Sequence, residues 1–192
     1  MVEKKELQVI SFKTQKEFGT WLDKQHGLQE GIWLRYFKKD SKIKTITYAE
    51  ALDVALCYGW IDGQAKKYDE DSWLQKFTPR RQRSVWSKRN IENVERLIKE
   101  GRMKPAGIKE IERAKQDGRW DNAYDSPSKM EIPADFLQEL KKDAKAEKFF
   151  ATLNKSNKYA ITWRLQTAKK EETRQRRLKK IMEMLSKGEK FH

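Results

Sequence analysis

The chain has 192 residues, 37% hydrophobic and 38% charged, with a formal net charge of +14. That length buries about 70% of the surface an unfolded chain exposes, enough for one good core or one core with a smaller appended unit. Seven Trp, eight Phe and six Tyr exclude a disordered chain, and a single cysteine excludes both an intrachain disulfide and a multi-thiolate metal site.

Residues 7–12, Leu-Gln-Val-Ile-Ser-Phe, read as a first strand. Thr14 and Glu17 then form a Thr-x-x-Glu capping box, and Phe18, Trp21 and Leu22 give a helix face that Gly27 ends. Residues 31–37 form an aromatic-rich strand. A second capping box, Thr47 with Glu50, opens a helix carrying Ala51, Val54, Ala55 and Tyr58, closed by Gly59. Two strand-helix units in succession predict a sheet with helices on one face. Residues 63–78 suit a hairpin, with Asp69-Glu70-Asp71 near its turn and residues 72–77 as the returning strand.

From Ser87 the pattern turns helical. Ile91, Val94, Leu97 and Ile98 line one face and Gly101 stops it. Pro105 suits a first helical position, with Ile108, Ile111 and Ala114 following and Gly118 as the stop. Residues 121–133 contain Asn, Asp, Ser and two prolines and look like a linker. Pro133 then starts a helix through Phe136, Leu137 and Leu140. Further helices carry Phe149, Phe150 and Leu153, then Tyr159, Trp163 and Ala168, then Leu178, Ile181 and Leu185, ending at Gly188. The expected fold class is α+β: a small N-terminal sheet packed with helices, followed by an all-helical C-terminal part. The expected boundaries are 1–122, a linker over 123–132, and a basic helical part over 133–192.

The positive charge sits in two stretches. Residues 1–75 balance 12 basic against 12 acidic side chains, residues 76–104 hold 10 against 3, and residues 140–192 hold 16 against 6. Such concentration attracts anions, including nucleic acid, and also keeps proteins soluble. The N-terminal Met-Val-Glu-Lys-Lys-Glu lacks the apolar core of a signal peptide. No stretch approaches the about 20 apolar residues of a membrane span. These features predict a soluble, reduced, cytoplasmic protein, with Cys57, in the apolar run 54–58, as a packed and inert thiol.

Few residues suit catalysis. His26, at a predicted helix end, and His192, at the terminus, are the only histidines; His26 suits a cation near a helix C-terminus. There is no phosphate-binding loop, dinucleotide fingerprint, zinc spacing or calcium loop, so neither cofactor nor metal is expected. Asp62, in Gly59-Trp60-Ile61-Asp62-Gly63, is the one candidate general base, with turn capping as the competing role. Asp69-Glu70-Asp71 suits a solvated hairpin tip better than a metal site.

The densest functional signal runs from Trp60 to Asn90. Here Trp60, Gln64, Arg80, Arg81, Arg83, Trp86, Ser87, Lys88 and Arg89 mix guanidinium groups with indoles and hydroxyls. Guanidinium binds phosphate or carboxylate bidentately, Trp offers a stacking face, and a helix start at Ser87 would add N–H donors. Two readings stand: a surface for an anionic small molecule, acidic partner or nucleic acid, or an internal network in which these cations pair with Asp62, Asp69 or Asp71. An enzyme acting on a phosphorylated or carboxylated substrate would need Asp62 and Arg80 or Arg81 in one pocket.

At these residues the chain resembles a known family. The runs 48–53 (Tyr-Ala-Glu-Ala-Leu-Asp), 57–63 (Cys-Tyr-Gly-Trp-Ile-Asp-Gly), 77–81 (Phe-Thr-Pro-Arg-Arg), 86–90 (Trp-Ser-Lys-Arg-Asn), Gly101-Arg102-Met103 and Asp117-Gly118-Arg119-Trp120 are similar to the YdeI/OmpD-associated proteins. Residues 153–157 and 168–174 look like the same family's bacteriocin-protection (OmdA-type) segment. The resemblance implies a bacterial role in resistance to bacteriocins or antimicrobial peptides and in stress, and it carries over no catalytic or ligand-binding residue.

Overall fold

The computed structural model describes residues 6–126 and 129–191. The signal-peptide reading of residues 1–6 (all but Glu6), His192, and Pro127 and Ser128 of the expected linker lie outside the described residues. The fold is α+β, in two compact units: Met1–Ser84 with Asn90–Asp121, and Val85–Arg89 with Asn122–His192.

The first unit holds a four-stranded mixed sheet of β1 (Val9–Ile10), β2 (Ile32–Phe37), β3 (Trp60–Lys67) and β4 (Ser72–Pro79), in the order β1-β2-β4-β3. β1 runs parallel to β2 and the other pairs are antiparallel. The first strand is shorter than its apolar run predicts, because Phe12 leaves the sheet. Its ring stacks on Phe18 with centroids 5.0 Å apart, and its carbonyl accepts from the Ile46 amide at 2.9 Å.

Strict alternation in β2 sorts the two faces of the sheet. Ile32, Leu34 and Tyr36 are buried, while Trp33, Arg35 and Phe37 are half-buried. Register places Phe77, Gln75 and Trp73 of β4 and Asp62 of β3 on the face of Ile32. Helices α1 (Gln15–Gln25) and α2 (Tyr48–Cys57) cover this face: Phe18 meets Phe77 edge-on at 6.0 Å, and Trp21 meets Trp60 at 5.9 Å. The opposite face carries Trp33, Arg35, Phe37, Leu74, Lys76 and Lys66.

The caps explain where these helices start. Thr47 accepts from the Glu50 amide while the Glu50 carboxylate accepts from the Thr47 amide, a complete capping box. At α1, Thr14 accepts from the Glu17 amide, but the Glu17 carboxylate reaches the Lys13 amide instead of Thr14. Gly59 leaves α2 with φ +74°, and a Cβ there would stand 3.0 Å from the Ala106 carbonyl, so the turn into β3 requires glycine twice over. Helices α3 (Lys88–Lys99) and α4 (Pro105–Gln116) follow. α4 approaches α2 closely at Gly107, where any Cβ would run into the Cys57 carbonyl.

The second unit contains α5 (Ala134–Leu140), α6 (Ala144–Thr152), α7 (Lys155–Gln166) and α8 (Glu171–Ser186). Phe136, Leu140, Phe150, Ile161, Leu165, Leu178, Ile181 and Leu185 form its core. Asp143 and Asn154 cap α6 and α7 through their side-chain oxygens. Arg174 of α8 donates to both Asp135 oxygens, at 2.6 and 2.7 Å, and to the Leu165 carbonyl at 2.8 Å, joining three helices. Part of the stretch read as a linker is tied down: Tyr124 pairs with Ser87 as an isolated parallel bridge, and Asp125 bonds Gln166. Among the described residues, no helix is long and apolar enough to cross a membrane.

Candidate functional site

Strand register up to Pro79, and turn and bridge hydrogen bonds beyond it, decide what the residues of the Trp60–Asn90 segment do. Trp60 is fully buried and its indole N–H donates to the His26 carbonyl at 2.8 Å. Trp86 is 2% exposed and Arg80 5% exposed. Neither indole therefore offers a stacking face to solvent. The Arg80 amide donates to the Gly59 carbonyl at 2.9 Å, which fastens the end of β4 to the α2–β3 turn. Gln64 is exposed on β3, inside a bulge that shifts the register between Asp62 and Ala65.

Arg81 and Arg83 are exposed on a tight turn of the first unit. The Arg81 amide donates to Ser84 Oγ and the Ser84 amide to the Arg81 carbonyl, both at 2.9 Å. Behind the turn, Arg119 is 4% exposed; it donates to the Ser84 carbonyl at 2.8 Å and pairs with Asp117 at 2.7 Å. The Asp117-Gly118-Arg119-Trp120 motif thus braces the turn that presents the two arginines. Among the described residues neither Arg81 nor Arg83 has an ion-pair partner.

Ser87, Lys88 and Arg89 belong to the second unit. Ser87 is buried, Lys88 pairs with Asp125 at 2.7 Å, and Arg89 is exposed without an ion-pair partner among the described residues. The Lys88 ammonium, helped by Gln166, holds the Asp125 carboxyl below its ordinary range. The segment is therefore divided: its tryptophans, Arg80 and Ser87 are buried, Lys88 is paired, and Arg81, Arg83, Arg89 and Gln64 face solvent.

Asp62 lies in a strand, not a turn cap, and accepts from the Tyr48 hydroxyl at 2.8 Å. Close by on the covered face, Tyr36 is 3% exposed and its hydroxyl has no hydrogen-bond partner among the described residues. Burial first, and then the neighbouring Tyr48 and Asp62, push the Tyr36 phenol far above its ordinary value, so it stays protonated. Gln75, also buried, donates to the Gly63 carbonyl at 2.8 Å. Bulges commonly re-aim side chains, and this one sits directly after Asp62.

Asp69 has a different partner from those the sequence nominated. Arg35 donates to it at 2.6 Å and to Ser72 Oγ at 3.0 Å, while Ser72 donates to Asp69 at 2.6 Å. No group of three or more acidic, His or Cys side chains suited to a metal ion occurs among the described residues. The Cys57 thiol is buried, and burial pushes its pKa up to about 11.

Sequence reasoning passed over Arg35, Trp33 and Lys66. Lys66 Nζ lies 4.4 Å above the Trp33 ring, and Arg35 Cζ lies 4.2 Å from the Phe37 centroid and 5.0 Å from that of Tyr68. The alternation in residues 32–37 was the available signal, since it puts Trp33, Arg35 and Phe37 together on one face.

Residues 10–110 match the family described as "Domain of unknown function (DUF8412)", and residues 129–188 match the family described as "Bacteriocin-protection, YdeI or OmpD-Associated". No curated protein and no solved structure matches the chain. The YdeI/OmpD-associated match is thus confined to the C-terminal part, and the motifs at 48–103 fall in the other family. The chain belongs to the DUF8412 family through residues 10–110, and its residues 129–188 are similar to the bacteriocin-protection, YdeI or OmpD-associated family.

Proposed function

We propose that the protein is a non-enzymatic bacterial bacteriocin-protection and stress-resistance protein, working in the cytoplasm by holding an anionic ligand or acidic partner. The description of the family matched at 129–188 supports the biological role. The molecular role rests on one observation: Arg81 and Arg83 project from a turn braced by Ser84 and Arg119, exposed and without carboxylate partners among the described residues. Two guanidiniums on a fixed turn match the bidentate geometry of phosphate and carboxylate, and bracing lowers the ordering cost of binding.

The reading favours binding over catalysis because Asp62 already accepts from Tyr48. Arg89 on the second unit is a further cation of the same exposed kind.

The test is a thermal-shift titration of the full chain with inorganic tripolyphosphate. A ligand at a hundred times its Kd stabilises by about 2.7 kcal/mol. Wild type gains that stabilisation and Arg81→Glu/Arg83→Glu loses it. Equal stabilisation of both proteins removes the turn as the site.

A further inference from the structure

The face of the sheet opposite α1 and α2 combines two aromatic rings with three cations. Trp33 and Phe37 lie four residues apart on β2, about 13 Å along the strand, with Arg35 between them. Lys76 stands opposite Trp33 on β4, and Lys66 reaches the same ring from β3. Leu74, buried, forms the floor between Arg35 and Lys66. Taken by register, the strand positions on this face include three cations and no carboxylate. Asp69 of the hairpin turn pairs with Arg35, which leaves Lys66 and Lys76 as the two cations of this face without a carboxylate partner among the described residues.

We infer that this face is a binding platform for single-stranded nucleic acid. Unpaired bases stack on aromatic side chains whatever their sequence, while nearby cations track the phosphates. A duplex hides its base faces and could not use Trp33 in this way. Trp33 is the stacking position for a base, since the Arg35 guanidinium already lies 4.2 Å from the Phe37 centroid and is held there by Asp69. In the free protein Lys66 covers the Trp33 indole through a cation–π contact. A base stacks on indole more strongly than an exposed ammonium rests on it, so binding shifts Lys66 from ring to phosphate. β3 is an edge strand whose residues 63–67 are all exposed, which leaves room for that movement. The Arg81–Arg83 turn takes no part in this platform, so the inference stands apart from the reading proposed above.

The experiment is fluorescence anisotropy with a labelled oligouridylate of about 12 nucleotides, within the site sizes of known single-strand binders. The full-length protein binds it, and binds a duplex of mixed sequence more weakly. Trp33→Leu weakens single-strand binding about tenfold. Lys66→Gln and Lys76→Gln, surface changes that leave the core intact, each lower the slope of log affinity against log salt by about 0.7. No binding of the oligonucleotide, equal binding of duplex or polyglutamate, or an unchanged salt slope in both lysine variants overturns the platform. So does a loss confined to Arg81→Glu/Arg83→Glu, which would assign the nucleic acid to the turn instead.

Discussion

The Tyr48 hydroxyl donates to Asp62 at 2.8 Å, and that bond joins the first turn of α2 to β3. Tyr48 opens the run Tyr-Ala-Glu-Ala-Leu-Asp and Asp62 sits in Gly-Trp-Ile-Asp-Gly, so two motifs that stand out separately in sequence are partners in the fold. The bond also fixes a carboxylate beside the buried Tyr36 phenol.

Removing that donor weakens the fold. Tyr48→Phe destabilises by about 1–3 kcal/mol, the range for a part-buried bond to a charged acceptor. A double-mutant cycle in urea with Asp62→Asn measures the coupling. Strictly additive effects would show that the bond contributes nothing.

Gly107→Ala forces α4 away from α2, because the new methyl meets the Cys57 carbonyl and the Met103 methyl. Overpacking of this kind costs about 1–3 kcal/mol. Gly27→Ala is the control, since a Cβ there meets nothing within 4 Å. Chemical denaturation that ranks the two variants equally would contradict the close approach.

The Cys57 thiol, held at about 11 by burial, favours the protonated folded state. Below the ordinary thiol value near 9 the contribution is constant. As pH rises from there through 11, the unfolded chain releases the proton first and stability falls, by roughly 2–3 kcal/mol at most. Cys57→Ala removes that component of the alkaline decline in urea midpoints. Native protein also resists alkylation at pH 7.5, and full modification without denaturant would show the thiol to be accessible.

In the second unit, the Arg174 guanidinium holds the Asp135 carboxyl below its ordinary range. A depressed carboxyl stabilises the fold above its unfolded pKa, and the contribution is lost as pH falls through the folded value. Asp135→Asn therefore lowers the urea midpoint at pH 7 and lowers it less as pH falls below the ordinary carboxylate range. Arg174→Ala is more damaging, because the Leu165 carbonyl and Asp135 lose their donor together. An effect of Asp135→Asn that does not diminish as pH falls would remove the pair as an acid-sensitive contact.

Much of the fold was legible in residue order. Capping boxes, glycine stops and apolar periodicity act over three to five residues, so they place α1, α2, a hairpin over 63–78 and α8 without any knowledge of packing. β1 is shortened for a tertiary reason, because Phe12 packs on Phe18 instead of extending the sheet, and α6 and α7 stop short of the Leu153 and Ala168 that the apolar pattern gave them.

The candidate site was harder to read. Composition drew attention to Trp60–Asn90, but a tryptophan or arginine looks the same in sequence whether a core or a solvent surface receives it. Packing buries Trp60, Trp86 and Arg80, and leaves Arg81 and Arg83 outside. Sequence by itself determined the α+β class, the element order and the uneven charge, because those follow from local patterns and composition. Only the tertiary structure decided that Tyr48 meets Asp62, that Asp69 belongs to Arg35, and that Lys66 lies over Trp33. Those partners stand 14, 34 and 33 positions apart, and strand register and helix docking, which no local pattern encodes, bring them together.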